Sequence, residues 1–450
     1  MKHDLTLLSA VQAANAIRDG RLTSEALVEA CLEQIDGTEP VIRAWSYLDR
    51  DQALDQAREM DRIRRAGRAT GILHGVPVGV KDIVDTRDMP TECGTPIFAG
   101  RQPDSDARII EKLRDAGAVI LGKTKTTEFA FMQPTDTTNP QDPLRTPGGS
   151  SSGSAAAVAA RHVPLAIGSQ TGGSVIRPAS FCGVYGFKPT QGTIPRSGVF
   201  RTSASLDHVG CFANTLEDVA LFADALAGYD QTDPNSFPRP RAGMLHGVKS
   251  EVPVEPDIAW FDMPFHDRLD PDAVEGIEAA LDALDARVER FPASPQLADL
   301  TSVHQTIYDY ELAQNMAALA ADRWADLSGN MRTAITRGQE VSDAQYQDAL
   351  GVKSSAEAFF TEHFNEFDAI LAPSATGEAP AIAGGTTGDS IFCTIWTLAG
   401  LPTLSLPLLV GETGLPIGLQ VIGAAEEDDR LMRTTSWIQN SLANHSDNTE

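Results

Sequence analysis

Apolar positions in the first 65 residues recur at helical spacing. Ser9-Ala-Val-Gln12 has the form of a capping box, and Gly20 closes the helix that this box predicts. A second helix is predicted from about Ser24 to Ile35, because its apolar residues form one stripe. A charged segment follows at about 50–65. These segments are expected to form a helical layer outside the core.

From residue 74 the spacing changes to that of a strand. Three valines alternate with a proline, a glycine and a lysine, which predicts a strand that ends at the lysine: Val76, Val78 and Val80 against Pro77, Gly79 and Lys81. A predicted helix at about 106–115 leads into the apolar run 118–121, and another apolar run follows at 163–167. Helices and strands in alternation predict a sheet that is covered on both faces.

The second half of the chain is expected to complete this sheet. After Ala227 the sequence is rich in proline, and from about 271 to 367 it is mainly helical. Strand-like segments return at 369–372, 403–406 and 419–422, before a last helix at about 428–442. The pattern therefore predicts a single α/β domain over 1–450 with four parts: a helical layer at 1–65, a core at 66–230, a variable, mainly helical segment at 231–365, and C-terminal strands and a helix at 366–450.

Composition and charge narrow the function classes. The chain has 450 residues, of which 42% are hydrophobic and 22% charged, as expected for a globular protein with a sizeable core. A net charge of −26 argues against nucleic acid as a partner, because phosphate binding needs a basic surface. No run approaches the roughly 20 apolar residues of a membrane span. Dispersed cysteines and an amphipathic N-terminal pattern, unlike a signal peptide, favour the cytoplasm.

Two runs of glycine and serine, at 147–154 and 171–174, carry the candidate chemistry. Glycine lets the backbone approach a substrate, so main-chain N–H groups can point at a developing oxyanion. Lys81 lies 69 residues before Ser150, and Ser174 follows Ser150 by 24 residues. A lysine, rather than a histidine, would be the base of such a site. It can act near neutral pH where burial or a neighbouring cation lowers its pKa.

Three gapless segments around these serines, 148–159, 168–183 and 186–190, resemble the amidase signature family. The likeness extends over about 70–225 and about 365–425. It implies an α/β fold of the amidase signature type, in which a mixed β-sheet core is covered by helices on both faces. It also implies a small-molecule amide as substrate and no metal or organic cofactor, and it makes a homodimer the usual assembly.

The resemblance assigns roles to single residues. Ser174 would attack the amide carbonyl and carry the acyl ester, and Ser150, after a cis Gly149–Ser150 peptide, would connect it to Lys81. Unprotonated Lys81 would be the general base that later returns a proton to the leaving amine. The oxyanion hole would be formed by backbone N–H groups of the loop that ends at the nucleophile: Thr171, Gly172 and Gly173, with Ser174 itself.

Arg177 is a candidate for substrate recognition. It follows Ser174 by three residues, and Gln170 stands where the family commonly has aspartate. Both features resemble malonamidase and related enzymes that act on small carboxylated amides. Arginine suits bidentate carboxylate binding, and a structural salt bridge beneath the loop is an equal alternative. Ser151 is a second candidate substrate contact, beside a scaffolding role shared with the neighbouring serines.

The expected function is hydrolysis of the C–N bond of a small, linear, non-peptide amide, with carboxylate-bearing amides as one such class. The alternative within the same fold is a glutaminase like the A subunit of glutaminyl/aspartyl-tRNA amidotransferase, which would need partner subunits. A non-catalytic binding module is a third interpretation. The presence of Lys81, Ser150 and Ser174 together argues against it.

Two other motif matches are weaker. Gly149-Ser-Ser-Ser-Gly153 fits G-x-S-x-G and would make Ser151 the nucleophile of an α/β-hydrolase, but no downstream histidine lies in a suitable loop. Residues 117–124 satisfy the P-loop pattern, yet their interior, Ala-Val-Ile-Leu, is itself a strand. His74 and His208 lack the companions of a metal site.

Overall fold

One mixed β-sheet organises the protein. The computed structural model describes residues 5–284, 287–292 and 294–449. Within these ranges the sheet has eleven strands: β1 (Trp45–Leu48), β2 (Pro77–Lys81), β3 (Val119–Thr124), β4 (Leu165–Gln170), β5 (Tyr185–Lys188), β6 (His208–Ala213), β7 (Ile258–Phe261), β8 (Val288–Phe291), β9 (Ala369–Pro373), β10 (Thr403–Val410) and β11 (Pro416–Ile422). Their order across the sheet is β1-β3-β2-β4-β6-β5-β10-β11-β9-β7-β8.

The helices surround this sheet. They are α1 (Ala10–Arg18), α2 (Ser24–Ile42), α3 (Arg50–Arg65), α4 (Arg108–Asp115), α5 (Ser152–Ala159), α6 (Ile176–Cys182), α7 (Leu216–Leu226), α8 (Met244–Lys249), α9 (Pro271–Leu284), α10 (Pro295–Arg323), α11 (Gly329–Glu340), α12 (Asp343–His363), α13 (Ile391–Leu398) and α14 (Asp428–Thr449). In the described part of the chain, none of them is long and apolar enough to cross a membrane.

Apolar cores lie on both faces of the sheet. Successive residues of β3 point to opposite cores, because Ile120 belongs to one cluster while Val119 and Leu121 belong to the other. Helices α4 and α7 pack into the first core, and α3 and α5 pack into the second. The predicted α/β fold with a sheet covered on both faces is therefore confirmed.

Most predicted elements are present, and the differences have local causes. The predicted second helix continues past Ile35 to Ile42, with Pro40 in its last turn. The segment predicted as mainly helical at 231–365 also supplies β7 and β8. Strand β7 reads Ile-Ala-Trp-Phe and is fully buried, so its unbroken apolar run has no alternation to mark it.

The parallel strand pairs bring the candidate residues together. Strand β2 runs parallel to β3 on one side and to β4 on the other, with Val80 opposite Ile167. Because parallel strands end at the same edge of a sheet, Lys81 at the end of β2 lies next to Ser169 and Gln170 at the end of β4. The loops that contain the two glycine-serine runs meet at this edge.

Candidate active site

Lys81 is completely buried and bonded to two serine hydroxyls. Its Nζ donates to Ser150 Oγ at 2.7 Å and to Ser169 Oγ at 2.7 Å. Burial lowers the pKa of Lys81 from 10.5 to about 7, while the negative charge of Asp207 acts in the opposite direction. Lys81 can therefore lose its proton near neutral pH, as a general base must.

Lys123, on the neighbouring strand β3, provides a contrast. Its Nζ donates to three oxygen atoms and lies 3.7 Å from a carboxylate: Val84 O, Thr86 Oγ1, Thr91 Oγ1 and Asp82 Oδ1. Three acceptors and a counter-ion suit a permanent ammonium ion, and the pKa of Lys123 falls only to about 8. Within the described residues Lys81 has no ion-pair partner. Its two neutral neighbours favour the neutral amine.

Ser150 lies just before α5, and the Gly149–Ser150 peptide is cis, as the resemblance implies. Its side chain is buried, and its carbonyl accepts a hydrogen bond from the Thr127 backbone at 3.2 Å. A Cβ atom at position 149 would lie 2.8 Å from Thr387 Cγ2, so the turn has room for glycine alone. The first glycine-serine run is therefore a packed turn and not a flexible linker.

Ser174 follows β4 and lines a cavity of about 440 Å³. It is half-buried, and Gly172, Gly173 and Arg177 line the same cavity. Further walls come from residues 130–132, 389–391 and 394. One helix, α10, contributes Thr301, Ser302, His304, Gln305 and Tyr308. Helix α10 belongs to the segment predicted as variable, so this segment forms part of the wall of the cavity that Ser174 lines.

The loop from Thr171 to Ser174 is held through its carbonyl groups. His304 Nε2 donates to Thr171 O at 2.7 Å, and Thr397 Oγ1 donates to Gly172 O at 2.7 Å. Among the described residues, no acceptor is found for the four backbone N–H groups of this loop. These groups remain available to bind an oxyanion. Sequence reasoning missed His304, because its position inside a long helix carries no motif.

Gln170 orients the turn between this loop and α6. Its Oε1 accepts the backbone N–H groups of Val175 at 2.8 Å and Ile176 at 3.0 Å. Its Nε2 donates to Thr397 Oγ1 at 2.9 Å. An amide side chain fits here because it accepts two bonds and donates a third. The unusual glutamine of the sequence therefore has a structural use in this chain.

Arg177 is buried at the wall of the cavity, 4% exposed. One Nη atom donates to Gly149 O at 2.7 Å and to Thr387 Oγ1 at 3.2 Å, whereas its Nε has no partner among the described residues. The salt bridge offered as one alternative is not formed within those residues. A buried guanidinium without a counter-ion, beside a cavity, suits an anionic ligand.

Ser151 and Ser169 differ from the expectation. The Ser151 hydroxyl donates to Ser169 O and accepts from Ser169 N, both at 3.3 Å, and it does not line the cavity of Ser174. This placement matches its scaffolding role better than a substrate contact. Ser169, which bonds Lys81 directly, was overlooked although it lies within the segment 168–183. Ser169 lies two residues past the predicted strand at 163–167, and no local pattern indicates that this strand ends beside Lys81.

Comparison with known proteins identifies the family of this chain. The sequence model of the family described as Amidase matches residues 26–432, which confirms the resemblance. The glutamyl-tRNA(Gln) amidotransferase A subunit of Natranaerobius thermophilus is 34% identical over an alignment of 487 positions, gaps included. The alignment covers 98% of this chain and 96% of that protein.

Two solved structures share the fold. A chain from a vestigial protein complex, described in connection with the origins of an s-triazine catabolic enzyme, has a TM-score of 0.90 and 28% identity over 96% of this chain and 98% of that one. A 6-aminohexanoate cyclic dimer hydrolase complexed with substrate has a TM-score of 0.86 and 26% identity, with 98% of each chain covered. The expected fold type is thus confirmed.

We predict that Gln170→Ala lowers the free energy of unfolding by about 2 kcal/mol or more, because two buried N–H groups lose their acceptor. Equilibrium urea unfolding measures this change. The matched control is Gln141→Ala, which removes one bond from the other end of α6, to Cys182 O, and is expected to cost less than about 1 kcal/mol. Equal losses in the two variants would contradict the role given to Gln170.

Proposed function

The chain belongs to the amidase family of amidohydrolases, and we propose that it cleaves an amide C–N bond through an acyl ester on Ser174. The observation that carries the proposal is the environment of Lys81. Its amine is buried between Ser150 and Ser169, and its pKa of about 7 suits a general base.

The proposed reaction has two halves. Ser174 Oγ bonds to the carbonyl carbon while its proton passes through Ser150 Oγ to Lys81 Nζ. The C–N bond then breaks, Lys81 returns the proton to the leaving nitrogen, and ammonia or an amine departs. Water attacks the ester and gives its proton to Lys81 by the same route, and that proton restores the Ser174 hydroxyl as the acid leaves. The proposal includes no metal or organic cofactor.

The proposed oxyanion hole is the set of backbone N–H groups at Thr171, Gly172 and Gly173, with that of Ser174, for which the described residues supply no acceptor. The bonds from His304 and Thr397 to the loop carbonyls support this assignment, because they fix the backbone before the reaction. Donors that are oriented in advance need no reorganisation when negative charge develops on the carbonyl oxygen.

For the substrate we propose a small amide that carries a carboxylate. The acyl part would lie in the cavity of about 440 Å³ beside Ser174, with its carboxylate against Arg177. Buried guanidinium groups favour bidentate contacts with carboxylates. Arg177 lines this cavity and has no counter-ion among the described residues, which supports this assignment, since a carboxylate would supply the missing negative charge.

A second candidate is the glutaminase part of a tRNA amidotransferase. Its support is the relative from Natranaerobius thermophilus, which is named as an amidotransferase A subunit and aligns with 98% of this chain. The comparisons favour this candidate over the linear-amide proposal. Glutamine is itself an amide with a carboxylate, so both candidates use the same chemistry at Arg177. They differ in the need for partner subunits.

The proposed setting follows from these assignments. We place the protein in the cytoplasm, acting on a small molecule rather than on a nucleic acid or a membrane. A homodimer is the assembly proposed for the independent amidase, whereas the glutaminase would work with other subunits.

We expect Ser174→Ala to lower kcat/KM for amide hydrolysis by about 10⁴-fold or more, since it removes the nucleophile. Ammonia release measures turnover, and mass spectrometry after fluorophosphonate treatment locates the labelled serine. Ser151→Ala is the matched control and should change the rate less than about tenfold, because its hydroxyl does not line the cavity. Near-normal turnover by Ser174→Ala would refute the mechanism.

The rate should follow the deprotonation of Lys81. Burial depresses its pKa to about 7, and only the neutral amine accepts a proton. We therefore expect kcat/KM to rise about tenfold per pH unit below pH 7 and to level off above it. A pH–rate profile with a carboxylate-free amide isolates this group. A profile that falls with rising pH through this range would contradict a lysine base.

The substrate proposal is tested by comparing succinamate with butyramide, which has the same chain length without the carboxylate. Arg177→Ala should lower kcat/KM for succinamate about 100-fold more than for butyramide. Arg177→Lys controls for the bond to Gly149 O, and it should recover part of the succinamate rate. Equal losses for both amides would reject carboxylate recognition. An isolated chain that is inert on every amide but hydrolyses glutamine with partner subunits would favour the second candidate.

A further inference from the structure

Ser169, the second hydroxyl bonded to Lys81, also lines a small cavity. The cavity measures about 10 Å³, which is close to the space that one water molecule needs. Thr171, Arg196, Asp207 and His208 also line it. Lys81 is therefore bonded to a serine that shares a water-sized cavity with Asp207.

Asp207 is fixed at this cavity by four hydrogen bonds. Its Oδ2 accepts backbone N–H groups of Thr202 at 2.8 Å and Ser203 at 3.0 Å, and its Oδ1 accepts the hydroxyls of Thr171 at 2.6 Å and Thr202 at 2.7 Å. Burial raises the pKa of Asp207, whereas four donors on its two oxygens and the charge of Arg196 favour the ionised carboxylate. The bond to Thr171 also ties Asp207 to the loop of the proposed oxyanion hole.

We propose that Asp207 is a positioning residue of the acylation step, whose fixed negative charge acts across this cavity to stabilise Lys81 once Lys81 holds the proton taken from Ser174. The inference rests on the proposed role of Lys81 as the base. A buried ammonium with only neutral neighbours is costly, and no carboxylate in the described part of the chain lies within ion-pair distance of Lys81. A negative charge at longer range stabilises protonated Lys81 during the reaction, and it does not keep Lys81 protonated before the reaction begins.

The surroundings of Asp207 determine the sign of this effect. Three other titratable groups line the cavity. The charge of Arg196 is paired with Asp233 at 3.0 Å, and Arg201 is exposed to solvent. Burial holds the pKa of His208 well below its usual value, so His208 is neutral. On α10, Tyr308 faces Asp207, and burial raises its pKa, so it stays neutral. The negative charge of Asp207 raises the pKa of Lys81 against the larger effect of burial. Its removal should lower that pKa further.

Asp207→Asn removes the charge and can keep the bonds. Its amide oxygen can accept both backbone N–H groups, and its NH₂ can donate to the hydroxyls. We expect the midpoint of the acidic limb of kcat/KM to fall by about half a pH unit or more, because a pKa shift reports the lost interaction. The plateau should fall about tenfold, since the protonated lysine is less stable in the transition state. The pH dependence of fluorophosphonate inactivation gives the same midpoint without deacylation.

Three variants make the result specific. Asp224→Asn removes a carboxylate that also accepts two backbone N–H groups but does not line this cavity, and it should change neither midpoint nor plateau. Asp207→Glu keeps the charge and should keep the midpoint while the plateau falls. If Asp207→Asn does not fold, Asp207→Ser should show the same downward midpoint shift.

An unchanged midpoint in the neutral variants would make Asp207 a purely structural residue and overturn the proposal. Failure of the proposed function is a separate result, since it would appear as near-normal turnover by Lys81→Ala. If Lys81→Ala is inactive, the midpoint of the acidic limb of kcat/KM in Asp207→Asn determines whether the inference holds.

Discussion

The site depends on a lysine amine that is held away from water by a sheet. Lys81 ends a strand with parallel neighbours on both sides, so its side chain enters a space closed by the loops that leave those strands. Burial there favours the uncharged amine, and two serine hydroxyls satisfy it without adding charge. Lys123, one strand away, shows that the same sheet also holds a lysine among three acceptors and beside a carboxylate.

The loop from Thr171 to Ser174 is held by parts of the chain that are far apart in sequence. Gln170 reaches forward to α6, Thr397 of α13 bonds the Gly172 carbonyl, and His304 of α10 bonds the Thr171 carbonyl. Each contact occupies a carbonyl or orients a turn, and none uses the backbone N–H groups of the loop from Thr171 to Ser174. The backbone is therefore set before a substrate binds, at the cost of ordering three distant segments.

The sequence predicted the elements with regular patterns. Strand β2 was marked by alternating valines, and the runs that became β3, β4, β9, β10 and β11 were apolar and short. The strands β1, β5, β6, β7 and β8 were not predicted. In β7, four buried apolar residues after a proline-rich stretch have no distinguishing period. Ser169 was missed because a direct bond to Lys81 follows from strand pairing, which no local pattern states. The motif around Ser151 is compatible with both a substrate contact and a scaffolding role, because it does not show which way the hydroxyl points.

By itself the sequence determined the family, the type of sheet and the identity of the candidate base and serines. Those properties depend on residue types at fixed spacing along the chain, and this spacing can be identified without knowledge of contacts. Only the tertiary structure decided which hydroxyls touch Lys81, that Arg177 lacks a counter-ion among the described residues, and that α10 closes the cavity. These properties depend on distances between segments that are remote in the chain, and burial and charge act through such distances.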